Sequence, residues 1–136
     1  MTGEQIVGLG ARLHLFVHPN TRAEFRALFA DTLECEVLER DFGLDYPVMV
    51  VRFPNGTLFS VETSPLAAEG TSIGVTDESA FRGAWIELLT TDVAAVHARL
   101  RSAGVPEFRH EGSQHVYFAA PGGQVFRIVD INYTGP

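Results

Sequence analysis

The sequence states one pattern twice. Residues 13–64 read as strand, helix and three strands: LHLFVHPN, TRAEFRALFADTL, ECEVLERDF, PVMVVRF and TLFSVETS. Residues 83–131 repeat the order: GAWIELLTT, DVAAVHARLRSAG, PEFRHEG, QHVYFAA and QVFRIVDI. Even the turns before the last strands correspond, Phe53-Pro54-Asn55-Gly56 against Ala120-Pro121-Gly122-Gly123. A duplicated unit fixes the architecture before any single residue is interpreted. Two copies also supply two related surfaces, and a cleft between such surfaces is where a small molecule binds.

Local signals place the elements. Leu13, Leu15 and Val17 alternate with Arg12, His14, Phe16 and His18, as a strand with one buried face requires. Thr21 with Glu24 matches a capping box, and Phe25, Leu28, Phe29 and Thr32 follow the helical period behind it. Asn55-Gly56 between apolar runs marks a hairpin. Phe59 and Val61 then oppose Leu58, Ser60 and Glu62. In the second unit Ile86 and Leu88 oppose Trp85, Glu87 and Leu89. Asp92 is placed as an N-cap, Val93, Val96 and Leu100 form the stripe, and Gly104 is placed as the stop. In the last strand Phe126 and Ile128 oppose Val125, Arg127 and Val129. Module 1 therefore spans 11–63, a connection 64–82 and module 2 83–132, within a single domain of 136 residues. The connection is expected to carry a short strand at 72–75.

Bulk properties exclude several classes. A formal net charge of −7 gives no basic patch to displace counterions, so no nucleic-acid partner is expected. No apolar run approaches the roughly 20 residues that cross a bilayer, and the N-terminus lacks the pattern of a signal peptide. Cys35 is the only cysteine, so no intrachain disulfide forms and a cytoplasmic setting is the simplest. Cys35 reads as a small apolar residue rather than a nucleophile. No Ser-His-Asp arrangement or phosphate loop is readable.

Phe25 to Val37 (FRALFADTLECEV), Thr90 to Val105 (TTDVAAVHARLRSAGV) and Pro121 to Ile131 (PGGQVFRIVDI), in this order and spacing, resemble the vicinal oxygen chelate superfamily. That superfamily includes glyoxalases, extradiol dioxygenases and bleomycin- or fosfomycin-resistance proteins. The resemblance implies an α+β fold. Two βαβββ modules would form a U-shaped mixed sheet around a central cavity, with helices on the convex face and a homodimer as the common assembly. It also implies a divalent metal held by one ligand from each of four strands. The corresponding positions here are His14, Ser60 (with Glu62 on the same face), Trp85 and Arg127. An indole nitrogen only donates and a guanidinium has no lone pair to give, so neither ligates a metal. Such sites need about three or four protein ligands. The expectation is thus a cavity without a metal or other cofactor.

The cavity residues expected are His14, Phe16, Ser60, Glu62, Trp85, Glu87 and Arg127. His14 is either a functional polar group or a histidine bonded to a neighbour. Trp85 stacks on a flat ligand or packs into the core. Arg127 binds an anionic or carbonyl group, or pairs with Glu62 or Glu87; in the ligand-free protein the ion pair is favoured. His97 is read as boundary packing, and His110 and His115 as strand-surface residues. The leading functional reading is a small-molecule-binding protein of the resistance or sequestration kind, taking a largely apolar ligand. The alternative is an enzyme of the superfamily, with His14 as base and Arg127 as oxyanion stabiliser, or with an atypical metal site of His14, Glu62 and Glu87.

Overall fold

Alternation along each strand settles which side chains meet. In the computed structural model, residues 5–67, 84–109 and 115–135 are described. Module 1 holds β1 (His14–Val17), helix α1 (Arg22–Ala27), β2 (Glu36–Arg40), β3 (Val48–Arg52) and β4 (Leu58–Thr63). They form one sheet in the order β1-β4-β3-β2, with β1 and β4 parallel and the rest antiparallel. Module 2 holds β5 (Trp85–Thr90), helix α2 (Val93–Ser102), β6 (Phe108–Arg109), β7 (Val116–Ala119) and β8 (Val125–Asp130). Its sheet repeats the topology as β5-β8-β7-β6. The α+β class and the duplicated βαβββ pattern are therefore as the sequence implies. The expected strand at 72–75 and His110 lie outside the described residues.

The helix ends show which local signals the chain obeys. Asp92 caps α2 by accepting from the Ala95 amide at 3.0 Å. Gly104 ends it at φ +76°, with Val105 N–H returning to Leu100 O at 2.9 Å. The capping box expected at Thr21 does not form. Thr21 Oγ1 instead donates to His18 O at 3.1 Å, because a 3₁₀ turn over Pro19–Thr21 precedes the helix. His18 caps that turn, accepting from Asn20 N–H. After α1 the chain widens into a π-helical turn over Leu28–Thr32. Cys35 N–H returns to Phe29 O at 2.8 Å, and Glu34 takes the left-handed position (φ +57°) that Gly104 holds in module 2.

The larger core runs across both modules, and a smaller buried cluster of Phe108, Tyr117, Ala119 and Val125 lies in module 2 alone. Phe25 of α1 and Leu28 and Phe29 of the π-helical turn join Met49, Val51, Phe59 and Val61, and this group continues into Val96, Leu100, Phe118 and Phe126. The Phe126 ring lies 5.2 Å from Phe29 and 6.1 Å from Phe59, centre to centre. The close approach of Gly122 is part of the same junction: a Cβ there would lie 3.3 Å from Val17 Cγ1. The modules thus meet through their helix-covered sides. Among the described residues, no helix is long and apolar enough to cross a membrane.

Candidate functional site

Phe59 and Phe126 point into the shared core, so their strand neighbours Ser60 and Arg127 project from the opposite faces of their sheets. This gives two outer faces, one per module, each with its own polar cluster.

The module 1 cluster follows from parallel pairing. Register sets His14 beside Ser60 and Phe16 beside Glu62. His14 Nδ1 is 2.6 Å from Ser60 Oγ, and His14 Nε2 is 3.1 Å from Glu62 Oε1. Both ring nitrogens of His14 are therefore engaged by neighbours. The Phe16 ring stands edge-on to the imidazole at 5.0 Å. Phe16 is 57% exposed and Leu58 45%, so the polar trio is flanked by uncovered apolar surface. The result is a Ser–His–carboxylate row that no sequence motif announced. Its signal was nevertheless present: Ser60 and Glu62 share a face, and the parallel strand brings in a histidine.

The module 2 cluster is built around a cation. β5 and β8 pair with Glu87 opposite Arg127, and β7 sets Tyr117 opposite Arg127 from the other side. Arg127 Nε and Nη2 both donate to Glu87 Oε2, at 3.1 and 2.8 Å. The expected ion pair is therefore made with Glu87; Glu62 bonds His14 instead. The guanidinium carbon lies 4.0 Å from the Trp85 ring centre and 6.0 Å from that of Tyr133. The arginine is buried in this box. Burial opposes its charge, but hydrogen bonds to Glu87 and Tyr117 outweigh that and hold its pKa above the ordinary value. Trp85 is 41% exposed, so it is not a core residue: it lies against Arg127 and leaves much of its surface uncovered. Tyr117 and Tyr133 were missed from sequence. Tyr117 was reachable, since it and Arg127 lie equally far from the Gly122 turn. Tyr133 lies past the last strand, where no periodicity exists; its hydroxyl meets His115 Nε2 at 2.9 Å. His97, on α2, pairs with Glu107 at 3.1 Å, as boundary packing implies.

Within one chain the seven expected residues form two groups rather than one. His14, Phe16, Ser60 and Glu62 come together, as do Trp85, Glu87 and Arg127. The observed donor set does not fit the superfamily's metal: a charged arginine and an indole stand at two of its four positions, with the arginine already bound to a carboxylate. Within one chain the atypical set is not brought together, since Glu62 bonds His14 and Glu87 bonds Arg127 in separate clusters. Among the described residues, no three His, Cys, Asp or Glu side chains are placed to share a metal.

A cleft of about 410 Å³ lies elsewhere, at the junction of the modules. Cys35, Phe53, Leu88, Val96 and Ile128 help to line it, and none of the seven expected residues does. Cys35 is half-buried there, and burial pushes its thiol pKa up despite the nearby Arg99.

No protein-family model matches this sequence, and neither does any curated protein. Solved structures do. A genomically encoded fosfomycin resistance protein from Listeria monocytogenes superposes with a TM-score of 0.62 at 14% identity, covering 91% of each chain. The chain has the glyoxalase/bleomycin-resistance fold. An antibiotic binding protein from Streptomyces sp. CB03234 matches with a TM-score of 0.60 at 17% identity, over 93% of this chain and 98% of the other. A glyoxalase/bleomycin resistance protein from the same strain matches at 0.55 and 19%, over 86% and 97%. At these identities the likeness is one of fold, the fold of the vicinal oxygen chelate superfamily, and the chemistry has to come from the residues themselves.

Proposed function

We propose that this protein binds a small, largely apolar, aromatic ligand without a catalytic metal, as a homodimer. Each cavity is completed when the module 1 face of one chain meets the module 2 face of its partner. One observation carries the reading. On both faces the polar groups are already partnered, whereas large apolar side chains are uncovered: Phe16 57%, Leu58 45%, Trp85 41% and Leu89 53% exposed. Recognition is then chiefly by contact and stacking on Trp85, with few polar groups to match. A two-fold pairing of face 1 with face 2 covers all four faces at once and leaves none open, which is what a closed symmetric assembly requires. The similar fold of an antibiotic binding protein from Streptomyces sp. CB03234 supports a binding role.

The enzyme reading with His14 and Arg127 acting together is less favoured. Arg127 is occupied by Glu87, and both ring nitrogens of His14 are engaged by Ser60 and Glu62. The test is a titration followed by Trp85 fluorescence, the only tryptophan in the chain. A planar aromatic of moderate polarity is expected to quench it saturably, and a sugar phosphate is not. Tight phosphate binding that disappears in Arg127→Ala would show an open anion site and overturn the proposal.

A further inference from the structure

The hydrogen bonds on the module 1 face support a second, chemical role. An ionised Glu62 only accepts, so His14 Nε2 carries the proton and donates to it at 3.1 Å. The Nδ1 lone pair then faces Ser60 Oγ at 2.6 Å and accepts its hydroxyl proton. These are the relations of nucleophile, base and orienting carboxylate, which are recognised by geometry rather than by order in the chain. We propose that Ser60 is a nucleophile that accepts an acyl group from activated aryl esters, with His14 as its general base and Glu62 as the positioning residue that fixes the imidazole tautomer.

The three side chains sit on paired strands β1 and β4, so the ladder itself holds the row in place. The exposed Phe16 ring and Leu58 lie beside it and offer a seat for an aryl group. Ser60 Oγ attacks the ester carbonyl carbon as its proton passes to His14 Nδ1. The bond between the acyl carbon and the aryloxy oxygen then breaks, and the departing oxygen takes the proton from His14 Nδ1 to leave as the phenol. Water reverses the sequence: it attacks the acyl carbon, gives a proton to His14, and releases the carboxylic acid and Ser60. The amide of Ser60 is bonded to Leu13 O at 3.0 Å and so does not stabilise the oxyanion. Removing a single oxyanion donor costs about 10²–10³ in rate elsewhere. Only esters with good leaving groups are therefore attacked. Release from the poorer serine leaving group is slower, so the acyl-enzyme accumulates.

The experiment treats the full-length protein with 4-nitrophenyl acetate and with a fluorophosphonate, followed by intact mass and peptide mapping. The chain contains no lysine, so competing amine acylation is confined to the N-terminus. A nitrophenol burst and one adduct on Ser60 are expected, with no Ser60 adduct in Ser60→Ala. The labelling rate should fall about 100-fold or more in His14→Ala and in Glu62→Gln, whose amide would hold the wrong tautomer. Glu62→Asp should recover part of the rate. The trio lies on a partly exposed face, and circular dichroism confirms that each variant is folded. No burst and no adduct in folded wild type, labelling confined to other residues, or an unchanged Ser60 rate in His14→Ala would each overturn the proposal. In wild type, quenching of Trp85 by the planar aromatic without burst or adduct would sink this chemistry alone, and a burst with a Ser60 adduct but no quenching would sink the binding function alone.

Discussion

Arg127 holds its guanidinium carbon 4.0 Å from the Trp85 ring centre, while two of its nitrogens bond one oxygen of Glu87. The cation, the ring and the carboxylate thus hold one another, and the exposed side of the indole becomes a preset stacking surface. A rigid aromatic loses little side-chain entropy when a ligand covers it, which favours binding.

Arg127→Ala removes both supports at once. Unfolding in urea should show a loss of about 2 kcal/mol, below the usual figure for breaking a buried pair, because water can replace part of the contact to Glu87. Glu87→Gln keeps a hydrogen-bond acceptor and should lose about half as much. If Arg127→Ala changed stability by less than about 0.5 kcal/mol, the cluster would hold no structural energy.

Glu34 occupies a left-handed backbone position (φ +57°) where its counterpart in module 2 is Gly104. A side chain there is strained by about 1–2 kcal/mol. Glycine removes the strain but gains freedom in the unfolded chain, and the substitution also loses the exposed Arg99–Glu34 bridge. Glu34→Gly should therefore stabilise by about 0.5–1 kcal/mol, seen as a rise in Tm, whereas Gly104→Ala should lower it.

Cys35 provides a pH test. Burial raises its folded pKa, so the thiolate is scarcer in the folded protein than in free cysteine at neutral pH. Iodoacetamide should label it more slowly than it labels the urea-unfolded chain, and the difference should narrow in alkali. The linkage has a definite sign. With the folded pKa above the unfolded one, the contribution is whole below the unfolded thiol pKa and is lost as pH rises through the folded value. Equal labelling rates in folded and unfolded protein would contradict the burial seen here.

Much of this fold was legible because duplication and alternation are properties of the backbone. Phe59 and Val61 against Ser60 and Glu62 follow from a period of two, in facing and in burial, whereas in β8 Arg127 faces away from Phe126 but is itself buried. Local capping was less legible at Thr21, where Pro19 starts a 3₁₀ turn that diverts the hydroxyl to His18 O. The polar clusters needed register. Only the parallel pairing of β1 with β4 reveals that His14 falls beside both Ser60 and Glu62, and no periodicity encodes it. The sequence also leaves open which sides of the modules meet. That depends on Phe29, Phe59 and Phe126 finding one another across a long separation.

That junction makes the assembly testable. If each cavity combines module 1 of one chain with module 2 of the other, then Phe16→Ala and Trp85→Ala damage different walls of a shared site. Each variant alone carries the same defect in both cavities and should bind the aromatic ligand weakly. In a mixed dimer the two defects fall together in one cavity and leave the other with two intact walls. Unfolding and refolding an equimolar mixture should therefore restore tight sites that neither parent has, up to one per mixed dimer. Calorimetric titration counts these sites, and sedimentation of the same sample verifies the dimer. Were each cavity instead built within a single chain, every cavity would keep one damaged wall, and mixing would restore nothing. A monomer in sedimentation, or a dimer without restored sites, would rule out the shared cavity.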